Sequence, residues 1–127
     1  MMGGVAAAIY ALATLVVVGF QLALAAGAPW GEYAMGGRIT GRFPPPMRVA
    51  AVMQAVLLGV LALVVLDKGG IVALGWTAAL PWLPWVPVVV SLLSAAMNAA
   101  TRSRVERGLW LPVAVVMVLS SIVVAAA

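Results

Sequence analysis

The sequence contains no cysteine and no histidine, and it has only three acidic residues among 127. Without cysteine there is no disulfide framework, no thiol redox pair and no thiolate metal site. Without histidine the chain lacks the usual haem ligand, the commonest metal ligand and the most frequent proton shuttle. We therefore expect no catalytic residues, no metal site and no cofactor, since no nucleophile-plus-base arrangement can be assembled from what remains.

Charge of either sign is scarce. Charged residues make up 8% of the chain and hydrophobic residues 66%, with a mean hydropathy of +1.22, whereas soluble domains carry roughly 25% charged residues. A soluble domain of this size hides only about two thirds of its surface, which is too little to cover so much apolar area. The composition predicts a single integral membrane domain over residues 1–127, with the lipid bilayer as its partner.

Four apolar stretches occupy most of the chain, over residues 5–26, 49–66, 84–100 and 109–127. Only helices and closed barrels satisfy their backbone polar groups inside a bilayer, and a crossing helix needs about 20 apolar residues. The predicted fold class is all-α, a four-transmembrane-helix bundle. Ala23-Leu24-Ala25 also fits a signal-peptide cleavage site, but no basic residue precedes the first stretch, and its apolar run exceeds the usual ~7–15 residues.

Prolines divide the third apolar region, which runs over residues 71–100. As one straight helix it would be about 45 Å long, too long for an ordinary span. Pro81, Pro84 and Pro87 interrupt it, and proline is tolerated mainly in the first turn of a helix. The third span is therefore predicted to begin near Pro84. Residues 71–83 are expected at the membrane interface, as a short helix or a re-entrant turn, and Pro112 is expected in the first turn of the fourth span.

The basic residues lie almost entirely on one side of this topology. All six arginines fall in or beside the loops that follow the first and third spans, and Lys68 alone lies on the other side. Cytoplasmic loops carry an excess of Lys and Arg, so we expect these loops to be cytoplasmic and both termini outward. Abundant alanine, valine, glycine and arginine are typical of a high-GC bacterial genome, which indicates a bacterial cytoplasmic membrane. Nucleic-acid binding is not expected, because the positive charge has no solvated surface with base-stacking aromatics.

Tryptophans support the same division. Trp30 and Trp110 fall on the arginine-bearing side, and Trp76, Trp82 and Trp85 fall on the other. Indole rings concentrate at both membrane interfaces. The first pair is therefore predicted to share one end of the protein.

A polar stripe runs along the third span. Ser91, Ser94 and Asn98 recur at spacings of three and four, so they share one helix face, while Gln21 and Gln54 are the strongest polar residues of the first two spans. These five residues are candidates for a polar intramembrane face. They could line a hydrophilic path or pocket, or they could join helices through hydrogen bonds worth roughly 0.6 kcal/mol each. The second interpretation is favoured, because no ionisable residue lies at mid-depth.

The arginine-bearing side forms the second candidate site. Its charged residues, candidates for a headgroup, anion-binding or loop-pairing cluster, are Glu32, Arg38, Arg42, Arg48, Arg102, Arg104, Glu106 and Arg107. The arginines could bind phospholipid phosphates, pair with the two glutamates to tie the loops together, or bind an anionic ligand or partner protein. Arginine suits all three roles, because its planar fork of donors matches phosphate and carboxylate. Ion pairing explains the two glutamates more simply than general acid/base catalysis, so the chain is not expected to be an enzyme.

Several short motifs occur together: Pro29-Trp30-Gly31-Glu32, Gly36-Gly37, the run from Asn98 to Ser103, Glu106-Arg107, Trp110 and Pro112. In this combination the chain resembles small, uncharacterised four-helix membrane proteins of bacteria, over nearly its whole length. The resemblance implies a fold and no activity. The chain lacks the membrane-embedded glutamate of small multidrug exporters, the polar pore motifs of fluoride channels and the cysteines of disulfide-forming four-helix enzymes.

Three functions are compatible with the sequence. The first is an accessory or structural membrane protein that acts through helix contacts in a homo-oligomer or a larger complex. The second is an oligomeric transporter or channel for a small solute. The third is a protein that binds a lipid or another hydrophobic ligand near the arginines.

Overall fold

The computed structural model describes residues 2–127. Most of these residues are helical, and none of them lies in a strand. Five α-helices follow one another along the chain: α1, Met2–Ala25; α2, Pro45–Lys68; α3, Trp76–Ala79; α4, Trp85–Ala100; and α5, Arg104–Ala126. Two short 3-10 helices, Gly31–Tyr33 and Met35–Gly37, lie in the loop between α1 and α2. The predicted all-α class is confirmed.

Three of these helices, α1, α2 and α5, are long and apolar enough to cross a membrane. Helix α4 is apolar but has 16 residues, a length of about 24 Å. The chain is thus a helical protein with the composition and helix lengths of a membrane protein. The fourth crossing by α4 stays a prediction.

Glycine and proline set the helix ends. Gly27, with φ 99°, ends α1 in a Schellman motif in which the Ala28 amide donates to the Ala23 carbonyl at 2.9 Å. Gly70, with φ 79°, ends α2 in the same way, through the Ile71 amide and the Leu66 carbonyl at 3.0 Å. Proline at the first position of α2 suits the fixed φ of that site.

Helix α5 begins earlier than the apolar pattern indicates. The predicted span started near residue 109, but the helix starts at Arg104, after Ser103, whose hydroxyl accepts from the Glu106 amide at 3.2 Å. Ser-x-x-Glu is a helix-start signature, so polar residues supply the first turn. As a consequence Pro112 lies inside the helix, and the expectation that it lies in a first turn was wrong. It leaves the Gly108 carbonyl without its usual intrahelical donor.

The segment before α4 is fastened to the end of α2. The Asp67 carboxylate accepts hydrogen bonds from the amides of Leu74, Gly75 and Thr77 at 2.7, 3.1 and 2.9 Å, and from the Thr77 hydroxyl at 2.8 Å. Residues 71–83 thus contain a short helix, α3, that packs beside α2. The interfacial and re-entrant forms of this segment both stay predictions.

The four long helices pack in the order α2, α1, α5, α4. Helix α1 contacts α2 and α5 extensively, and α4 packs on α5, whereas α2 and α4 meet only over a short stretch. The main core lies among α1, α2 and α5, around Tyr10, Val65 and Met117. The buried residues of α4 are all in its first half: Pro87, Val88 and Ser91. The second half of α4 is therefore free of α2, and a cleft separates the two helices there.

Candidate functional site

A cavity of about 810 Å³ fills the space between α2 and α4, and α1 and α5 form its back wall. We call it the α2–α4 cleft. It extends to the end of the protein that carries the arginine-bearing loops, which we call the arginine end, and we call this part of the cleft its mouth. The polar and charged residues that line it are Tyr10, Gln21, Tyr33, Arg38, Gln54, Ser91, Ser94, Asn98, Thr101, Arg102, Glu106 and Trp110.

All five residues of the predicted polar face line this one cleft. Gln21 belongs to α1, Gln54 belongs to α2, and the other three residues belong to α4. Polar side chains of three helices therefore line the cleft. The Asn98 amide donates to the Ser94 carbonyl of its own helix at 2.8 Å, with a longer contact of 3.4 Å to the Ser94 hydroxyl. A hydrogen bond inside α4 does not join two helices. The bond of Asn98 is therefore not an interhelical contact, and the choice between a pocket lining and an interhelical network stays a prediction.

Three buried hydroxyls lie at the inner end of the cleft. Tyr10, Thr14 and Ser91 are 0%, 2% and 2% exposed, and none of their side-chain oxygens has a hydrogen-bond partner among residues 2–127. Thr14 and Ser91 lie near the Tyr10 hydroxyl, and Tyr10 and Ser91 line the cleft itself. A buried polar group without a partner costs about 1–3 kcal/mol. The deep end of the cleft thus presents the hydroxyls of Tyr10 and Ser91, with Thr14 beside them.

Tyr10 and Thr14 were not among the residues predicted from the sequence for the polar face. A signal was available, because Tyr10, Thr14 and Gln21 are spaced by four and seven residues and share one face of α1. Tyrosine and threonine are less polar than glutamine, and the pattern was hidden among the apolar residues of that helix.

Glu106 holds the loops together at the mouth of the cleft. Its carboxylate accepts from the Gly36 amide at 2.7 Å and from the Thr101 hydroxyl at 3.2 Å. One helix turn away, the Trp110 indole N–H donates to the Tyr33 carbonyl at 2.8 Å. The loop between α1 and α2 is thereby fixed to α5, and Glu106 ties the two loops through a backbone amide and a hydroxyl.

Aromatic rings complete this end. Phe20 of α1 stacks with Trp30 at a centroid distance of 6.4 Å and contacts Trp110 at 4.6 Å. Both tryptophans predicted for this side thus meet on one phenylalanine ring. Aromatic pairs of this geometry add roughly 0.5–1.5 kcal/mol beyond area burial, so the rim of the cleft is held firmly.

The structure divides the predicted charged cluster. Arg38, Arg102 and Glu106 line the cleft, while the Arg48 Nε donates to the Ala25 carbonyl at 2.8 Å and stabilises the end of α1. The remaining four lie outside the lining: Glu32, Arg42 and Arg104 are exposed and Arg107 is half-buried. Arg38 and Arg102 are also exposed to solvent, and they are the two arginines of the six that contribute to the lining.

A second hollow, of about 550 Å³, lies between α1 and α5 near the termini. Apolar side chains such as Val5, Ile9 and Leu119 line it, and the one hydroxyl there, of Ser120, donates to the Val116 carbonyl of its own helix at 2.6 Å. With no free polar group in its lining, this groove resembles an ordinary lipid-facing surface.

Within residues 2–127 no group of three or more His, Cys, Asp or Glu residues could hold a metal ion. Comparisons with protein-family models, with curated proteins and with solved structures gave no match for this chain. The observations that bear on function are therefore those of the α2–α4 cleft.

Proposed function

We propose that the chain is a four-span protein of the bacterial cytoplasmic membrane, of the small four-helix kind that its motifs resemble, and that it binds one anionic amphiphile in the α2–α4 cleft. The anionic head meets Arg38 and Arg102 at the cytoplasmic mouth, and the apolar tail lies between α2 and α4. One observation carries this proposal. A single cavity joins two arginines at its mouth to walls that are mostly apolar inside.

The size of the cleft supports a single small ligand. Its volume of about 810 Å³ lies within the ~300–1,000 Å³ of small-molecule sites, which are mostly apolar with a few placed polar groups. Leu57, Leu58, Leu93 and Met97 supply apolar wall on α2 and α4. These walls can cover a hydrocarbon tail along its length.

The charge of the mouth supports an anionic head. Arg38 and Arg102 line it, whereas the carboxylate beside them, Glu106, is occupied by the Gly36 amide and the Thr101 hydroxyl. Guanidinium groups bind carboxylate and phosphate through paired, charge-assisted hydrogen bonds. Basic pockets at the cytoplasmic side are also where anionic lipid head groups bind.

The depth of the cleft favours binding over permeation. The cavity reaches Tyr10 and Met117 near the middle of α1 and α5, and no residue of the last two turns of α2 lines it. A transport path would need a second opening at the opposite end, where α1, α2 and α5 form the packed core. An accessory role in a larger complex is compatible with a bound lipid and stays a prediction.

The experiment is native mass spectrometry of the purified protein titrated with oleate, which reports the adduct and its affinity directly. Replacing Arg38 and Arg102 together with glutamine should weaken the one-to-one oleate adduct at least tenfold, because two charge-assisted hydrogen bonds to the head are lost. The matched control is Arg42→Gln with Arg104→Gln, which changes the net charge equally at exposed positions outside the cleft. Equal weakening by both double variants would show nonspecific attraction and contradict the proposal.

A further inference from the structure

The closed end of the α2–α4 cleft combines two properties that rarely occur together. Tyr10, Thr14 and Ser91 are almost completely buried, yet all three hydroxyls lack a hydrogen-bond partner within residues 2–127. Two of them, on Tyr10 and Ser91, line the same cavity as Arg38 and Arg102. Buried polar side chains are nearly always hydrogen-bonded. Thr14 and Ser91 are neighbours of the Tyr10 hydroxyl, but no bond among the three is well formed, so a ligand group placed among them would gain hydrogen-bond partners.

We propose that Tyr10, Thr14 and Ser91 form an uncharged hydrogen-bonding subsite for a hydroxyl group in the middle of the amphiphile's tail. This inference rests on the proposed function, because the ligand it describes is the one whose head meets Arg38 and Arg102. Each of the three hydroxyls both donates and accepts, and so does a hydroxyl on the ligand.

The chemistry of the subsite excludes a charged group. The residues that line this end of the cleft include Val17, Leu58, Val90 and Met117, and the charged residues of the lining all lie at its mouth. Moving a charge into such surroundings without an opposite charge is far more costly than moving a hydroxyl. A neutral group that exchanges its bonds to water for bonds to three hydroxyls meets no such cost.

The position of the subsite places that hydroxyl well away from the head. Ser91 lies seven residues before Asn98 on α4, which is about 10 Å deeper along the helix axis, and Arg102 lies beyond the end of the helix. A group next to the head would not reach Ser91. The favoured ligand is thus a hydroxylated fatty acid or a lipid with a hydroxylated acyl chain, rather than a plain saturated or unsaturated one.

The test is a competition between oleate and ricinoleate, two fatty acids that differ only by a mid-chain hydroxyl. The protein is incubated with an equimolar mixture, and native mass spectrometry separates the two adducts by the mass of one oxygen. We expect the wild type to favour ricinoleate about tenfold, the effect of one well-made hydrogen bond to a buried partner. Ser91→Ala and Tyr10→Phe should each reduce that preference to within twofold.

Two controls keep the result specific. Ser120→Ala removes a buried hydroxyl that lies outside the cleft and is bonded to its own helix, and it should retain the full preference for ricinoleate. Thr14→Val gives a third, nearly isosteric probe of the subsite. The melting temperature of each variant, measured without ligand, separates loss of binding from loss of folding.

The possible outcomes distinguish the two proposals. Equal binding of both fatty acids by the wild type, with the dependence on Arg38 and Arg102 intact, would overturn the subsite and leave the proposed function standing; resident water at the hydroxyls would produce that result. A preference that survives both Ser91→Ala and Tyr10→Phe would also overturn it. If neither fatty acid forms a specific adduct, the proposed function fails and the subsite fails with it.

Discussion

The two ends of this protein are each organised by one carboxylate, but over different distances along the chain. At the Lys68 end, Asp67 bonds to residues seven to ten positions away. At the arginine end, Glu106 bonds to the Gly36 amide, 70 positions away. The Asp67 contacts can form as soon as α2 ends. The Glu106 contact exists only after α1, its loop and α5 have assembled.

Close packing differs between the ends in the same way. At the Lys68 end a Cβ on Gly69 would lie 2.5 Å from the Ala7 Cβ and 3.0 Å from the Gly3 carbonyl oxygen, so α1 and α2 touch directly. At the arginine end a Cβ on Gly31 would lie 2.5 Å from the Ile39 carbonyl oxygen and 2.7 Å from that of Gly41. There the tight contact lies within one loop. Helices α1 and α2 also pack at the arginine end, through Leu24 and Ala51, so the ends differ in where the closest backbone contact lies.

The largest effects on stability are expected from adding a methyl group at Gly69 or Gly31, where neighbouring atoms lie closest. Gly69→Ala and Gly31→Ala should each lower the free energy of unfolding by about 2 kcal/mol or more, because backbone atoms must shift to admit the methyl group. Chemical unfolding in detergent measures the change. At temperatures where both variants are folded, Gly31→Ala should weaken oleate binding, since its loop carries Arg38, and Gly69→Ala should not.

The matched control for this pair is Gly59→Ala in the middle of α2, where a Cβ meets nothing within 4 Å. That change should stabilise the protein by up to about 1 kcal/mol, because alanine is the better helix former. If Gly69→Ala behaves like Gly59→Ala, the close contact between α1 and α2 does not contribute to stability.

An intermediate effect is expected from Glu106→Ala. It removes a charge-assisted bond to the Gly36 amide and a bond to the Thr101 hydroxyl, at a half-buried position. The loss should be about 1 kcal/mol, with faster hydrogen exchange of the Gly36 amide. Glu32→Ala, at an exposed position in the same loop, serves as the control. Unchanged exchange at Gly36 in the Glu106 variant would show that Trp110 and its bond to Tyr33 hold the loop alone.

The smallest and most local effect is expected from Asp67→Asn. The neutral amide is a weaker acceptor than the carboxylate, so the amides of Leu74, Gly75 and Thr77 should exchange faster. Oleate binding and exchange at Gly36 should stay as in the wild type, because the Asp67 bonds are confined to its own end. A change at Gly36 would show instead that the two ends are coupled through the helices.

Local features of the fold could be predicted because their causes lie close together in the chain. The four apolar stretches, the proline-limited start of α4 and the helix ends at glycine all follow from nearest-neighbour chemistry. The start of α5 was missed because Arg104, Glu106 and Arg107 were assigned to a loop on grounds of charge, although Ser103 and Glu106 carry a helix-start signature.

The candidate site was only partly predictable. The stripe on α4 could be found from its spacing, since one helix determines it, and the arginine-bearing end could be found from charge. The sequence could not show which arginines line the cleft. Arg48 stabilises the end of α1, whereas Arg38 and Arg102 line the cavity, and nothing in their sequence neighbourhoods distinguishes these roles. Asp67 was likewise not singled out from the sequence, although its carboxylate accepts four hydrogen bonds from the residues that follow it.

The sequence by itself determined that this is an all-helical chain with the composition of a membrane protein, because hydropathy, proline and glycine act within a few residues of where they stand. Only the tertiary structure decided that α2 and α4 diverge, and that three helices contribute Tyr10, Gln54 and Ser91 to one cavity. The reason is physical. Which helix faces meet depends on close contacts such as that between Gly69 and Ala7, which join residues far apart in the chain and leave no periodic signal in it.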